Sequence, residues 1–266
     1  MMLVVGELIN SSRKAIAQAI ANRDKEYIQE LARKQAEAGA DIIDVNCGTS
    51  IGEEDKVMTW LVNIVQEVVD VPLCIDSPSA EALAAGLAAH KGQAMVNSIT
   101  AEKQRWEEVL PLVQKYKAKV IALCMDDGGM PDSVEDRLRV AGKLVPGLVE
   151  AGIPEDDIYL DPLIKPLGVN SQYGVEALES VAALRQKYPG VHTICGLSNV
   201  SYGLPERRLL NRAFMVMCLT KGMDSFILDP LDMPLMGLLR AATALYGQDE
   251  YCLEYISAAR AGKIKA

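Results

Sequence analysis

Eight short apolar runs recur along the chain, and each is followed within a few residues by a polar side chain. The runs are continuous rather than alternating, which is typical of strands buried on both faces of a parallel sheet. Segments long enough for a helix separate most successive runs, so the pattern predicts eight strand-helix repeats. The runs occupy residues 3–7, 42–46, 73–77, 94–98, 120–124, 158–162, 193–203 and 226–230.

This repeat predicts the α/β class and a (β/α)8 TIM barrel, which takes about 250 residues, and the chain has 266. No stretch rich in Pro, Gly and Ser interrupts the repeat, so one domain over residues 1–266 is expected. Asp24 is a plausible N-cap for a helix that ends at Gly39. Residues 125–131 form the most turn-rich loop, which could be a mobile lid or merely flexible.

Two helices are predicted after the eighth strand, one more than the strand-helix repeat requires. An eighth helix is expected over residues 235–246 from its apolar pattern. A short extra helix is expected over residues 249–260. It could cover the barrel or contact a partner subunit, and the sequence leaves both readings open.

Composition favours a soluble globular protein. Half of the chain is apolar, but there is no run of about 18 apolar residues, so no membrane association is expected. The first residues lack a basic segment and a cleavage site, so no signal peptide is expected and the cytoplasm is the predicted location. The net charge of −9, with Lys and Arg scattered among acids, argues against a nucleic-acid partner.

The six cysteines are far apart and form no CxxC pair, and only two histidines are available as partners for a metal. Buried free thiols in a reducing compartment are therefore predicted, with no tightly bound metal. Cys195 has no evident base or cation beside it. This favours core packing of Cys195 over a nucleophilic role.

Polar side chains mark the ends of the predicted strands. In a (β/α)8 barrel the C-terminal ends of all strands share one mouth, so these side chains are expected to converge. A single Asp or Asn in such a place is often a turn-former or a helix cap, and Asp44 could be purely structural. The converging set is Glu7, Asn46, Asp76, Asn97, Asp161, Asn199 and Asp229. Function is put first for four of them, Asp76, Asn97, Asp161 and Asn199.

These residue types suit a flat heterocycle with several N–H donors and carbonyl acceptors, because carboxylates accept hydrogen bonds whereas amides both donate and accept. A pterin has this character. Asp76 and Asp161 would accept from its amino group and ring nitrogen, Asn97 would bind the adjacent acceptor and donor, and Asn199 is left for the reacting side. Phosphate suits the set poorly, since neither GxxxxGK[ST] nor GxGxxG is present.

Seven segments, taken together and in order, carry a family resemblance. They are Gly6-Glu7-Leu8-Ile9-Asn10, Asp44-Val45-Asn46-Cys47-Gly48, Ile75-Asp76-Ser77, Asn97-Ser98, Leu160-Asp161-Pro162-Leu163, Gly196-Leu197-Ser198-Asn199-Val200-Ser201 and the segment from Arg207 to Phe214. The chain resembles the methyltetrahydrofolate:corrinoid protein methyltransferases, which are similar to the folate domain of cobalamin-dependent methionine synthase. The resemblance covers essentially the whole chain, and its last two segments are the most specific part.

The resemblance implies a homodimeric barrel that binds tetrahydrofolate or methyltetrahydrofolate. It implies transfer of a methyl group between N5 and the cobalt of cobalamin or another corrinoid, carried by a separate corrinoid protein. Asp76, Asn97 and Asp161 would bind the pterin. Asn199 would move in to hydrogen-bond near N5 as the catalytic residue, because charge at N5 must be stabilised when the amine leaves. Four residues are candidates for shaping the site or binding the folate tail: Gly196, Ser198, Tyr202 and Arg207.

Some features depart from the family or leave alternatives open. Leu8 stands where the family commonly has Arg, which removes the support for a role of that position. No Asp-x-His-x-x-Gly segment is present, so the corrinoid is expected on another protein. The direction of transfer is open. The alternatives are a condensation of the dihydropteroate synthase type, for which only Lys165 offers a basic loop end, and a non-catalytic folate-binding subunit.

Overall fold

The computed structural model describes residues 2–50 and 52–264, and eight parallel strands form its barrel wall. The first seven strands pair in chain order, each with its neighbour, and the first strand also pairs with the eighth. The strands are β1 (Leu3–Asn10), β2 (Ile42–Asn46), β3 (Leu73–Asp76), β4 (Met95–Ala101), β5 (Lys119–Asp126), β6 (Ile158–Asp161), β7 (His192–Thr193) and β8 (Ser225–Leu228).

The ring closes between β7 and β8. The regular part of β7 is only two residues long, yet the Ile227 amide donates to the Cys195 carbonyl at 2.9 Å and Gly196 forms a parallel bridge with Ile227. A 3₁₀ turn, Leu197–Ser201, follows immediately. The predicted (β/α)8 barrel is therefore confirmed, with its seventh strand shorter than the apolar run.

Helices alternate with the strands and cover the outside of the barrel. Among the described residues they are α1 (Lys14–Ala21), α2 (Lys25–Ala38), α3 (Glu54–Gln66), α4 (Ala80–Ala89), α5 (Lys103–Tyr116), α6 (Val134–Glu150), α7 (Tyr173–Lys187), α8 (Arg207–Thr220), α9 (Met233–Leu245) and α10 (Leu253–Arg260). The sequence pattern did not reveal α1. No helix among the described residues is long and apolar enough to cross a membrane.

The predicted caps of α2 are confirmed. The Asp24 carboxylate accepts from the Tyr27 amide at 3.1 Å, and Gly39 ends the helix with φ 106°, a left-handed conformation that favours glycine. The extra C-terminal helix begins later than predicted, at Leu253. The reason is that Tyr251 and Cys252 have positive φ angles of 55° and 56°, which interrupt the helix.

The core has two layers. The larger one lies between the strands and the helices. A separate small cluster fills the barrel interior with one residue from each of the first six strands and Ile194, which directly follows β7. Successive side chains on a strand point to opposite faces, so the residues two positions further along also face inward. The interior cluster is Val5, Ile42, Cys74, Met95, Ile121, Tyr159 and Ile194.

The turn-rich loop of residues 125–131, for which a lid and simple flexibility were both left open, is anchored at both ends. The Asp126 carboxylate binds Arg139 and Lys143 at 2.6 and 2.8 Å, and the Pro131 carbonyl accepts from Lys165 Nζ at 2.9 Å. Between these anchors the tip is exposed, with Met130 65% accessible. Motion of the tip stays a prediction.

All six cysteines are free. Five are buried, whereas Cys252 is exposed, so the prediction of a buried thiol is wrong for that residue. A hydrogen bond with Cys218 and burial both raise the pKa of Cys195. Its thiol therefore stays protonated and packs in the core, as the sequence predicted.

Candidate active site

A polar layer lies directly above the apolar filling of the barrel. Counting two residues on from each member of the interior cluster gives side chains that face the mouth, and most of them are acids or amides. Asp76 is the register partner of both Asn46 and Asn97 on the neighbouring strands. The inward positions are Glu7, Asp44, Asp76, Asn97, Leu123, Asp161 and Gly196.

Asp76 is oriented by Asn46. The Asn46 side-chain amide donates to Asp76 Oδ2 at 2.9 Å, while its oxygen accepts from Ser11 Oγ at 3.2 Å and from the Gly48 amide at 3.1 Å. These bonds fix which end of the Asn46 amide faces Asp76. Burial raises the pKa of Asp76, whereas the Asn46 hydrogen bond and the charge of Arg105 work against that rise.

Arg105 supports the same side of the mouth from α5. Its guanidinium donates to the carbonyls of Ser98, Pro78 and Ser77 at 2.9, 2.7 and 2.8 Å. The loop that follows β3 is thereby joined to the middle of β4, next to Asp76 and Asn97.

Asp44 lies beneath this pair and is 2% exposed. Asn97 Nδ2 donates to Asp44 Oδ2 at 3.4 Å. Burial, and then the charge of Asp76, raise the pKa of Asp44 well above its usual range. The carboxyl that the sequence left as structural therefore contacts a predicted binding residue.

Asp161 is 8% exposed at the end of β6. Its carboxylate accepts from the Leu163 amide at 2.7 Å and from the backbone of Gly196. Burial raises the pKa of Asp161 to about 7, although both hydrogen bonds favour the ionised form. Asp161 thus connects the ends of β6 and β7 and has both protonation states available near neutral pH.

Asn199 sits on the 3₁₀ turn after β7, and its side chain is exposed. Among the residues that the structure describes, its side-chain amide makes no hydrogen bond. It packs beside Gly196, where an added Cβ would come within 3.3 Å of Asn199 Nδ2. Because β3 and β7 are four strands apart in a ring of eight, Asn199 lies across the mouth from Asp76.

The other residues predicted around Asn199 form one cluster. Ser198 Oγ donates to Glu7 Oε2 at 2.8 Å. The Arg207 guanidinium donates to the Ser198 carbonyl at 2.7 Å and to Ser201 Oγ at 3.1 Å, and it lies 5.8 Å from the ring centre of Tyr202. Tyr202 is 69% exposed at the rim.

Two strand-end acids behave differently from one another. Glu7 bridges Ser198 and Arg13 inside the mouth. The Asp229 carboxylate instead accepts from the Leu231 amide at 2.9 Å, as a turn-forming Asp does. Within residues 2–50 and 52–264, no group of three or more His, Cys, Asp or Glu residues could hold a metal ion.

Asp44, Ser11 and Arg105 contribute to the site although this was not predicted from the sequence, and Glu7 contributes although only its place in the mouth was predicted. For Asp44 a signal was present: both Asp44 and Asn46 lie an even number of positions from Ile42, so both face inward. The contacts of Glu7 with Ser198 and of Arg105 with Ser77 and Pro78 join segments that are distant in the sequence. No local pattern reveals them.

Comparisons with known proteins show a family and similar proteins. A family model described as pterin binding enzyme matches residues 6–229. The methylcorrinoid:tetrahydrofolate methyltransferase of Eubacterium limosum is 35% identical over 265 residues, which are 99% of this chain and 98% of that protein. The methionine synthase of Mycobacterium tuberculosis (strain ATCC 25618 / H37Rv) is 28% identical over 240 residues, which are 85% of this chain but only 20% of that protein.

A solved structure shares the fold. Dihydropteroate synthase from Xanthomonas albilineans in complex with 7,8-dihydropteroate superposes with a TM-score of 0.70 at 20% identity, and the match covers 94% of each chain. The family match spans most of the barrel, and the first relative is similar from end to end. The chain therefore belongs to the pterin-binding enzyme family.

Proposed function

We propose that this chain is a methyltransferase that moves a methyl group between N5 of tetrahydrofolate and the cobalt of a separate corrinoid protein. The observation that carries the proposal is the Asn199 amide, which has no hydrogen-bond partner in the described part of the chain and lies across the mouth from a buried layer of carboxyl and amide groups. The full-length similarity to a methylcorrinoid:tetrahydrofolate methyltransferase supports it.

In this proposal Asp76, Asn97 and Asp161 hold the pterin. Asp76 and Asp161 accept from its N–H groups, and Asn97, with one amide hydrogen directed at Asp44, offers its oxygen and second hydrogen to the ring. Each group is buried or half-buried, so its hydrogen bonds to a ligand are worth more than they would be in water.

Asn199 acts at the reacting side. When methyltetrahydrofolate is the donor, the electron pair of cobalt(I) forms the bond to the methyl carbon. The pair of the broken C–N bond stays on N5, which carries a proton from solvent. Asn199 stabilises the charge that develops at N5, and the rest of the mouth supplies orientation. The relative's name puts the methylcorrinoid as donor, so both directions are to be assayed.

The rim of the mouth supports a protein partner that carries the corrinoid. Four large apolar side chains are exposed on the loops after β5, β6, β7 and β8, a pattern that marks interaction sites. They are Met130, Val169, Tyr202 and Leu231, at 65, 74, 69 and 37% exposure.

A second apolar surface supports the homodimer. A groove of about 670 Å³ runs between α8, α9 and α10. Leu209, Met217 and Leu238 line it and are 68, 50 and 43% exposed. A second copy that covers this face would bury those side chains, and sedimentation equilibrium tests for it.

The free cysteines favour a reducing compartment, and we propose the cytoplasm.

The condensation of the dihydropteroate synthase type has less support. Lys165, the one basic residue that the sequence offered for a phosphate, is buried. Its Nζ donates to the Pro131 carbonyl and lies 3.2 Å from the Glu176 carboxylate. Because this ammonium group is already paired, it is a poor anchor for a pterin diphosphate.

Two substitutions test the division of roles. Asp161→Ala leaves buried pterin donors without a charged acceptor, so we expect folate affinity to fall by about 1.5 to 3 kcal/mol. Asn199→Ala is expected to lower the transfer rate more than the affinity. Asn63→Ala, the same change on the exposed outer face of α3, is the control and leaves both unchanged. Equal losses of affinity in the two site variants would contradict the assignment.

A further inference from the structure

Glu7 connects the first strand to the turn that carries Asn199. Its side chain is 15% exposed and points into the polar layer. Oε2 accepts from Ser198 Oγ at 2.8 Å, a contact between residues 191 positions apart, and Oε1 binds Arg13 Nη2 at 2.8 Å. Both carboxylate oxygens are therefore engaged as acceptors, and the carboxylate holds the residue next to Asn199.

The turn is restrained from its other side by α8. Arg207 donates to the Ser198 carbonyl at 2.7 Å, and Ser201 Oγ donates to Asn211 Oδ1 at 2.7 Å. Within residues 2–50 and 52–264, Glu7 is the only side chain from outside the segment 196–212 that bonds to a side chain of the turn. Hydrogen bonds from Glu7 on one side and from α8 on the other therefore hold the turn, while the Asn199 amide is left free to rotate.

A contact from α2 supports the backbone beside Glu7. Gln35 is fully buried, and its Oε1 accepts from the Leu8 amide at 3.1 Å. The strand bulges between Gly6 and Ile9, and a Cβ on Gly6 would come within 2.5 Å of Gln35 Oε1. A side chain on Gly6 would displace the Gln35 amide from Leu8, so glycine at this position preserves the contact that supports the backbone on which Glu7 stands.

We propose that Glu7 is a positioning residue for methyl transfer: through Ser198 it fixes the turn so that the Asn199 amide meets N5. The inference rests on the proposed function. A rigid turn with one mobile amide lets Asn199 engage the transition state with little loss of backbone entropy, whereas a loose turn misplaces the amide. Misplacement by about 1 Å can cost roughly 100-fold in rate. The proposed folate contacts of Asp76, Asn97 and Asp161 do not depend on the Ser198 side chain.

The test compares Glu7→Gln, Ser198→Ala and the double variant in single-turnover methyl transfer, with folate affinity measured in parallel. Gln keeps the size of Glu but turns a donor toward Arg13 or Ser198, so we expect a rate loss of about 10- to 100-fold with affinity within about twofold. The double variant is expected to lose no more than either single variant, because both break one contact. Glu67→Gln, the same change at a surface pair with Lys25, controls for the loss of a carboxylate and leaves the rate unchanged.

The outcomes separate this inference from the proposed function. The positioning role is wrong if the wild-type protein transfers methyl and Asn199→Ala abolishes that transfer, but Glu7→Gln does not slow it. Additive losses in the double variant, or an affinity loss as large as the rate loss, also overturn it. If Glu7→Gln does not fold, Ser198→Ala alone decides by its ratio of rate loss to affinity loss. If the wild-type protein transfers no methyl group in either direction, the proposed function fails instead.

Discussion

Asp161 is a buried carboxyl held by two backbone amides, those of Leu163 and Gly196. Burial raises its pKa to about 7, so near neutral pH the acid and the carboxylate are both populated. Only the carboxylate accepts on both oxygens, and a pterin amino group and ring N–H need an acceptor. Ligand binding and proton release are therefore coupled at this residue.

Folate affinity is expected to depend on pH through Asp161. Above its pKa the acceptor form is already present, and below that pKa a proton must leave before the ligand binds. Affinity should therefore fall as pH drops from about 8 to about 6, by at most about tenfold per pH unit. Calorimetry in two buffers of different ionisation enthalpy measures the released proton, and Asp161→Asn should remove most of it. Proton uptake on binding would contradict this assignment.

At the residue scale, the strand-end rule located Asp76, Asn97 and Asp161 because polarity at the end of an apolar run is a local signal. Their binding roles stay predictions. Asp44 was left as structural because the strand-end rule considers only the last polar residue of a run, here Asn46. The two-residue period of a strand would have placed Asp44 on the inward face with Ile42. The Glu7–Ser198 contact spans 191 positions and exists only because the barrel closes.

Close packing of α4 on β3 positions the strand that ends in Asp76. Gly86 in the helix is buried, and an added Cβ would come within 2.7 Å of Ile75 Cγ2 and 2.8 Å of Met58 Cγ. Glycine is needed there for the approach of two elements, not for its backbone freedom. Gly142 in α6 differs, since its added Cβ would meet Tyr188 Oη at an ordinary 3.5 Å.

These two glycines form a matched pair for substitution. Gly86→Ala overpacks the α4–β3 contact and should lower the free energy of unfolding by about 1 to 3 kcal/mol. Gly142→Ala gains helix propensity without a clash and should raise it by up to about 1 kcal/mol. Urea titration of both variants measures the difference. A neutral Gly86→Ala would show that Ile75 and Met58 yield, and that the close approach does not constrain β3.

At the element scale, helices with conventional ends were predictable and unusual backbone was not. Asp24 and Gly39 are cap residues of the types that helices prefer, so the bounds of α2 follow from the sequence. The start of α10 does not, because Tyr251 and Cys252 adopt left-handed conformations that few such residues take. The Asp249 carboxylate then accepts from the Glu254 and Tyr255 amides, a cap separated from its helix by a turn.

The whole barrel depends on a seam between β7 and β8 that has few backbone bonds. A side-chain cluster reinforces it at the N-terminal end of the strands. His192 Nδ1 lies 2.9 Å from Asp224 Oδ2 and its Nε2 lies 3.1 Å from Asp156 Oδ1, while the Thr193 amide donates to Asp224 at 2.9 Å. Arg185 also pairs with Asp224, at 3.5 Å.

Stability is expected to depend on pH through this seam. The hydrogen bond to Asp224 raises the pKa of His192, so the stabilisation is complete below the unfolded value of about 6.5 and is lost as pH rises through the folded pKa. The raised pKa of Asp161 also lowers stability as pH rises. The difference in free energy of unfolding between wild type and His192→Gln therefore isolates the contribution of the histidine. That difference in free energy of unfolding should shrink from about pH 6 to about pH 8.5. A difference that is constant over this range would contradict the role of His192.

Methyl transfer is tested most directly by anaerobic mixing of the protein with methyltetrahydrofolate and cob(I)alamin while the cobalt absorbance is followed. We expect conversion of cobalt(I) to methylcobalt(III) at a rate that saturates with folate and is lost in Asn199→Ala, and methylcobalamin with tetrahydrofolate should give the reverse. Absence of methyl transfer between folate and cobalt in both directions, together with condensation of a pterin diphosphate with 4-aminobenzoate, would contradict methyl transfer as the function.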